Sequence, residues 1–472
     1  MNRVAHQGST FIHATRSWCS RCGKVETARV VAARNGVFLE RICKETGAVR
    51  TRIAASFAWY MERAGKPMQI EAIPHRKKSR RGCPFDCGVC EWHTTGLHLP
   101  VFSITNDCNL NCPKCFTYNR PDKKYYKTVE ETRTIIRHIQ EQQPNVQLIN
   151  MTGGEPSLHP GLFDLIAVCR EEGIERITVN TNGLRIATDR AFAQQLKEAG
   201  VQPVLSMDTL SAENSIAIYG KDIVAQKKKA LEVLEQLEIP TTLLLVCIKG
   251  VNEEEVAEIT AKYIKKDFVK SITIQNMTYT GLNGSRFQPR EHITIDEVEE
   301  LLAQKDEFSQ DDFFPLGSYH PLCYSVAYYV FVQDRLIPLT KILGKDFLTT
   351  GSVGSYLLEP DANFSRDFLA GLNRLWAEGE DEEVIMTLKK TVRELYPADG
   401  TATPQQRRET IEKMTRMISI HPHMDEDNFD IDRVSRCGDL VPDESGKMIP
   451  ACSYNLFYRQ QDERFWKESG EE

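Results

Sequence analysis

No stretch of the 472-residue sequence reaches the roughly 18 consecutive apolar residues that a membrane-spanning helix needs. The first residues, Met1 to Gly8, lack the apolar run of a secretory signal. These two absences set the expectation of a cytoplasmic protein with no transmembrane segment. Peripheral membrane contact is a separate question, because substrate polarity and location are independent. Basic charge is also in short supply. The 59 Lys and Arg against 66 Asp and Glu leave a formal net charge of -7, so composition gives no reason to expect nucleic acid as partner. There is no internal repeat and no low-complexity tract. With 41% hydrophobic and 26% charged residues the composition is not that of a disordered chain, and the length suits two or more domains.

Cysteine breaks this pattern of scarcity. The chain has 14, many for a reducing compartment in which disulfides rarely persist, and their grouping carries the information. Eleven fall into four places: Cys19, Cys22 and Cys43; Cys83, Cys87 and Cys90; Cys108, Cys112 and Cys115; and Cys437 with Cys452. Cys323, Cys169 and Cys247 stand alone. Cys169 lies in a predicted helix and Cys247 just beyond a predicted strand, and both read as core residues.

Residues 1–75 read as a zinc-ribbon or rubredoxin-like unit. Two short strands between Ala28 and Leu39 turn at Asn35-Gly36, flanked by Cys19 and Cys22 on one side and Cys43 on the other. So small a unit gains from a metal staple, a mononuclear iron or zinc. A helix is predicted over Thr51 to Ala64. The basic run His75 to Arg81 reads as a solvated connector. Residues 76–99 hold Cys83, Cys87 and Cys90 in C-x3-C-x2-C spacing, which suggests an auxiliary iron-sulfur cluster with structural zinc as the alternative. Its fourth ligand is to be sought among Cys323, Cys437 and Cys452, or these three serve another cluster.

From about 100 to 335 short apolar strands alternate with amphipathic helices, the habit of a parallel α/β sheet, open or closed, with ligands at the carboxyl ends of its strands. Strands are predicted at Val101–Ile104, Val146–Met151, Ile177–Val179, Pro203–Met207, Thr241–Val246 and Ser271–Ile274. Helices are predicted at Thr128–Gln140, Leu162–Glu172, Asp189–Ala199, Asp222–Gln236, Glu253–Ile264 and Ile295–Gln304. Asn252 is placed to cap the fifth helix, and Thr294 with Glu297 forms a capping-box pattern before the sixth. Residues 336–472 lose the alternation. There helices are predicted over Asp381–Leu395 and Pro404–Met417, with an irregular remainder that carries the late cysteines.

The strongest chemical signal is Cys108-Asn109-Leu110-Asn111-Cys112-Pro113-Lys114-Cys115-Phe116, on the loop after the first of these strands. Three thiolates at this spacing can hold three irons of a [4Fe-4S] cubane and leave the fourth open. Met151-Thr152-Gly153-Gly154-Glu155-Pro156 ends the second strand, where glycines let backbone approach a ligand. The pair of motifs resembles the signature of the radical S-adenosylmethionine (SAM) superfamily. The resemblance implies a partial TIM-type (β/α)6 barrel in which the open iron chelates SAM, and a flavodoxin or ferredoxin-type donor of the electron that cleaves it. It places Gly153, Gly154 and Glu155 at the methionine amino group, and Asn180, Asn182, Ser206, Asp208 and, most weakly, Asn252 near SAM. Lys114 stands where the superfamily usually carries an aromatic residue.

The wider layout, with His320-Pro321-Leu322-Cys323 and the segment from Cys437 to Asn455, resembles the tetraether lipid synthase family, whose members were long regarded as pterin-methylating radical SAM proteins. That resemblance implies one or two auxiliary [4Fe-4S] clusters, an N-terminal metal site, a C-terminal cluster-binding region, and carbon-carbon bond formation on a lipid substrate. Relatives tend to show Cys-Pro-Glu-His-Gly where this chain has Cys43-Lys44-Glu45-Thr46-Gly47. Radical methylation or modification of a small heterocycle or natural product is the competing activity, and a non-catalytic iron-sulfur or zinc interaction protein the competing class.

Overall fold

The computed structural model describes residues 8–65, 69–71, 73, 77–119, 122–144, 146–352, 358, 360, 362–397 and 400–462. His75 and Arg76 of the basic run lie outside them.

The N-terminal unit is a four-stranded antiparallel sheet in sequence order: β1 (Thr10–Trp18), β2 (Val25–Ala33), β3 (Gly36–Cys43) and β4 (Gly47–Ala54). The predicted hairpin is β2 and β3. The predicted helix from Thr51 is shorter than expected: Thr51 to Ala54 pair with β3, and the helix runs over Phe57–Ala64, capped by the Ser56 side chain. β-branched Thr51 and Ile53 favour the pleated surface over a helix. This helix anchors the unit through a buried cluster. Arg63 donates to Glu299 at 2.6 Å and to Ser325 at 3.0 Å, and the Trp59 indole donates to Glu299 at 2.7 Å. Glu299 is fully buried, so Arg63→Met strands a carboxylate and is expected to cost about 3–5 kcal/mol in denaturant unfolding. A change under about 1 kcal/mol would mean that the carboxyl is held neutral by its other donors.

Six parallel strands follow: β5 (Leu99–Thr105), β6 (Leu148–Gly153), β7 (Arg176–Thr181), β8 (Gln202–Ser206), β9 (Thr241–Cys247) and β10 (Val269–Asn276). Each lies within two residues of its predicted limits, and so do the six helices predicted among and after them. Thr294 and Glu297 form the expected capping box. One strand face carries Phe102, Ile104, Ile149, Ile177, Leu205, Leu243, Leu245, Ile272 and Ile274, all buried in the core against the helices. Cys169 and Cys247 lie in that core. The other face alternates to Asn150, Thr178, Gln202, Thr242, Ser271 and Gln275, which line a cavity. The strict period of two explains how each strand serves two environments.

The last third of the chain corrects the expectation of irregular structure. It contains an unpredicted helix, Ala362–Ala377, and the predicted helix over 404–417 ends at Met414, where Thr415 begins a strand. β11 (Ser325–Val332) and β12 (Arg335–Pro338) form a hairpin, β13 (Thr415–Ile420) pairs parallel to β10, and β14 (Asp439–Pro442) pairs parallel to β5, followed by β15 (Met448–Pro450). The result is one mixed eleven-stranded sheet in the order β12-β11-β13-β10-β9-β8-β7-β6-β5-β14-β15. Its order has two ends, so the described pairing does not make the closed barrel of a TIM fold. Short strands formed only by distant partners leave little periodic trace, which is why they read as irregular.

Candidate active site

The carboxyl ends of β5 to β9 meet at a pocket of about 170 Å³ lined by Cys108, Cys112, Cys115, Gly153, Gly154, Glu155, Asn180, Asn182 and Ser206. Residues singled out by the sequence at the ends of four different strands thus come to one place. The Cys112 carbonyl accepts the Cys115 amide at 3.1 Å, which turns the loop so that its sulfurs face one side. Thr117 and Asn119 approach the Cys115 sulfur at 3.0 and 3.6 Å. Burial pushes the thiols of Cys108 and Cys112 up to about 12, so the free thiols stay protonated and a bound cation is what would make them thiolates. The three sulfurs do not all lie within 4.8 Å of one another, as those of Cys19, Cys22 and Cys43 do. A cubane holds one thiolate per iron, farther apart than a single ion does, and the donor set fits that group.

Gly153, at φ +133, and Gly154 bring β6 against the cysteine loop. The next two amides engage this loop: Gly154 donates to Thr105 and Glu155 to Asp107, each at 2.7 Å. The Glu155 side chain also holds the neighbouring strand end in place. It accepts from Ser157 and Thr181 at 3.1 and 2.7 Å and from the Asn182 amide at 2.6 Å. Asn182 in turn donates to Asn109, and its oxygen receives the Leu184 amide at 3.0 Å.

Two of the expected SAM neighbours stand behind the pocket. Asp208 is fully buried, ion-paired with Lys114 and accepting the Val246 amide at 2.6 Å. Asn252 occupies the helix N-cap position but makes no side-chain cap; it donates to the Asp208 and Val246 carbonyls at 2.9 Å each and clamps β8 to β9. The cap is the wrong reading because the side-chain oxygen that a cap would use accepts the Ile248 amide at 2.8 Å instead.

Lys114, in the position usually aromatic, therefore acts as the counter-charge of Asp208, with its ammonium 5.0 Å from the Tyr219 ring centre. Lys114→Met should lower stability by about 3 kcal/mol in thermal unfolding and weaken SAM in equilibrium binding, because Asp208 is left without its cation. Unchanged SAM affinity beside lowered stability would make the pair purely structural. Phe116 lines this pocket and faces His423 at a centroid distance of 5.9 Å.

Sequence reasoning missed Lys227 and Asn276. Lys227 is buried and donates to the Asn182 and Ser206 carbonyls at 2.7 Å and the Ser206 hydroxyl at 2.8 Å, tying β7 to β8; burial lowers it to about 8. Its signal was a lysine on the apolar stripe formed by Val224, Leu231 and Leu234. Asn276 donates to Ile293, while its side-chain oxygen, buried in the pocket wall, has no hydrogen-bond partner among the described residues. A bound ligand that donates would satisfy it.

The pocket continues into a cavity of about 240 Å³ on the inner face of the sheet. Phe116, Thr152, Asn180, Val204, Leu244 and Gln275 border both. At its rim stand His421, His423 and Asp439. Burial lowers His423 to about 4 and raises Asp439 to about 6. His423 lies 3.7 Å from the Cys452 sulfur.

Cys323, Cys437 and Cys452 are close enough to feel one another's charge, and Arg433 donates to the Cys323 sulfur at 3.3 Å. Cys83, Cys87 and Cys90 line a small separate recess with His93, whose ring bonds the Cys437 carbonyl at 2.8 Å. The described part of the basic run is solvated, with Lys77, Lys78, Arg80 and Arg81 exposed, and it is tied to the next turn where Lys77 pairs with Asp86 at 3.0 Å and the Arg80 amide bonds the same carboxylate at 2.8 Å. His292, Asp425 and Asp427 also bring ligand atoms within 4.8 Å, a group consistent with a metal although Arg290 already pairs with Asp427 at 2.7 Å.

The fold and this pocket define a SAM-binding enzyme with iron-sulfur chemistry. Residues 102–262 match the model of the Radical SAM superfamily, so the chain carries a radical SAM catalytic domain. Residues 11–55 match the HMPTM N-terminal zinc ribbon domain. The chain is 26% identical to the 7,8-dihydro-6-hydroxymethylpterin dimethyltransferase of Methanocaldococcus jannaschii, over 96% of this chain and 95% of that protein. It is 31% identical to a probable GTP 3',8-cyclase of Pyrococcus abyssi over 33% of this chain, spanning about half (49%) of the cyclase. Among solved structures it is similar to Streptococcus suis SuiB bound to S-adenosylmethionine, at 21% identity and a TM-score of 0.37, covering 44% of this chain and 46% of that one. No helix among the described residues is long and apolar enough to cross a membrane.

Proposed function

We propose that this enzyme abstracts hydrogen from an unactivated carbon of a lipid chain and forms a carbon-carbon bond there. When bound at Cys108, Cys112 and Cys115, the cluster and SAM supply a 5'-deoxyadenosyl radical; a flavodoxin or ferredoxin-type protein is the proposed electron donor. The chain's own part is to hold SAM against β6 to β8 and to keep water from the adjoining space. Cys83, Cys87 and Cys90, with Cys323, Cys437 and Cys452, would hold one or two auxiliary clusters that contact substrate or relay electrons.

The observation that carries the reading is the elongated space along the strands. The cavity beside the SAM pocket shares Leu148, Arg176, Gln202, Ser271, Tyr328 and Met417 with another of about 560 Å³ at the opposite strand ends. A six-residue strand is about 20 Å long, so the two cavities line up over a length that suits an extended chain better than a compact ring. Leu99, Val101, Val326, Met417 and Val441 give the cavity beside the SAM pocket an apolar wall, whereas Arg176, Lys270, Arg408 and Glu412 make the farther one more polar. The layout of the cysteine groups, which resembles that of the tetraether lipid synthase family, points to the same substrate class.

A second reading, radical methylation of a small heterocycle, is favoured by the amides of Asn150, Asn180 and Gln275 on the cavity wall and by the name of the pterin-modifying relative. The deciding experiment incubates the anaerobically reconstituted enzyme, SAM and reductant with candidate lipids and with pterins and identifies products by mass. Lipid coupling is expected. Turnover of a pterin without turnover of any lipid rejects it.

A further inference from the structure

The N-terminal metal site differs from a closed structural site in one corner. Two matching turns build it. Cys19 to Gly23 closes with the Cys19 amide on Lys24 and the Gly23 amide on Cys19, both at 2.9 Å, and Gly23 at φ +71. Cys43 to Gly47 is the β3-β4 connection, with Gly47 at φ +76. In the first turn the ligands are Cys19 and, three residues on, Cys22. In the second the corresponding residues are Cys43 and, three residues on, Thr46. The Cys22 and Cys43 sulfurs are 3.7 Å apart. Zinc-sulfur bonds of about 2.3 Å in a tetrahedron place sulfurs about 3.8 Å apart, so the three thiols are already spaced for a single ion. Thr46 Oγ1 lies 3.7 Å from the Cys19 sulfur, beside the three thiols. Glu26 comes to 3.8 Å from the Cys22 sulfur but does not join the group in which all ligand atoms lie within 4.8 Å. Among the described residues no fourth Cys, His, Asp or Glu completes that group.

A neutral hydroxyl is a poor replacement for a thiolate on zinc, yet it is well suited to hydrogen-bond a water. Structural zinc sites have four protein ligands, whereas sites with three keep a position for water or an incoming molecule. We infer that the ribbon holds its metal by Cys19, Cys22 and Cys43, with an exchangeable water beside Thr46 as fourth ligand, in a position that a small thiol can take. The ribbon is then a ligand-binding metal centre as well as a staple.

The test uses zinc X-ray absorption spectroscopy on the full-length, cluster-bearing protein loaded with one equivalent of zinc, where iron does not interfere. Three sulfur neighbours and one oxygen neighbour are expected, and excess 2-mercaptoethanol should turn the oxygen into a fourth sulfur. Thr46→Cys should show four sulfurs from the start, ignore the added thiol and release zinc to a chelator at least about tenfold more slowly, the scale set by loss of one ligand-shell interaction. If that variant misfolds, the thiol response of the unsubstituted protein still decides. A four-sulfur shell in the unsubstituted protein, an imidazole scattering pattern, failure of the folded protein to hold zinc, or a fourth shell that ignores added thiol would each overturn the inference.

Discussion

Cys112→Ala will yield a folded protein that has lost about four irons per chain and cleaves SAM no faster than background. The expectation follows from the position of the side chain. Cys112 is half-buried on a loop and packs against the small apolar cluster of Leu110, Tyr219 and Tyr279 rather than in the main core, so losing its sulfur removes a ligand more than a packing element. Two thiols cannot keep the cubane at this site, and without it SAM has neither its anchor nor its electron. Any auxiliary clusters remain, which makes partial rather than complete bleaching of the visible absorption the expected signature. Cys169→Ala is the control: it is fully buried in the main apolar core, and iron content should not change. Iron analysis, absorption spectra and quantified 5'-deoxyadenosine distinguish these outcomes. Cleavage above background by the Cys112 variant would remove this triad from the chemistry.

Gly154→Ala should abolish SAM binding without touching any ligand. A Cβ at this position would lie 2.2 Å from the Asp107 carbonyl oxygen, and Asp107 immediately precedes Cys108. Backbone on both sides must move, because no flexible side chain can yield. The move breaks the Glu155 amide bond to Asp107 and carries Cys108 away from its partners. Overpacking of this kind costs about 1–3 kcal/mol or more. The expected result is a melting temperature lowered by a few degrees, as about 1–3 kcal/mol implies for a domain this large, together with loss of measurable SAM binding. Gly351→Ala, where a Cβ would meet nothing within 4 Å and the backbone is not left-handed, separates crowding from the loss of a glycine as such. Retained SAM affinity in the Gly154 variant would show that the loop can yield.

These two sites are legible in the sequence because local spacing alone defines them. The cysteine loop and the glycine segment each occupy consecutive positions after a strand whose apolar face is visible as alternation. The same is true of β5 to β10. What escapes is assembled at a distance. Asn252 looks like a helix cap until the Ile248 amide takes its side-chain oxygen and its amide turns to the carbonyls of Asp208 and Val246. Lys114 reads as a departure from an aromatic position, and its partner Asp208 lies 94 residues away. Lys227 is detectable as a charge on an apolar stripe, but the carbonyl ends that satisfy it belong to two strands. The extent of β4 is ambiguous because Thr51 to Ala54 suits either state locally, and pairing with β3 decides it.

The outer positions of β13 and β14 have a consequence for how the enzyme is made. Both edges of the parallel run, at β10 and β5, are covered by segments that begin only at Thr415 and Asp439. A nascent chain that has emerged only as far as Met414 therefore presents two bare strand edges on the ribosome, beside a cysteine loop already synthesised. Metal insertion into a finished sheet has to wait until Pro450, the end of β15, has emerged, and the bare edges call for shielding until then.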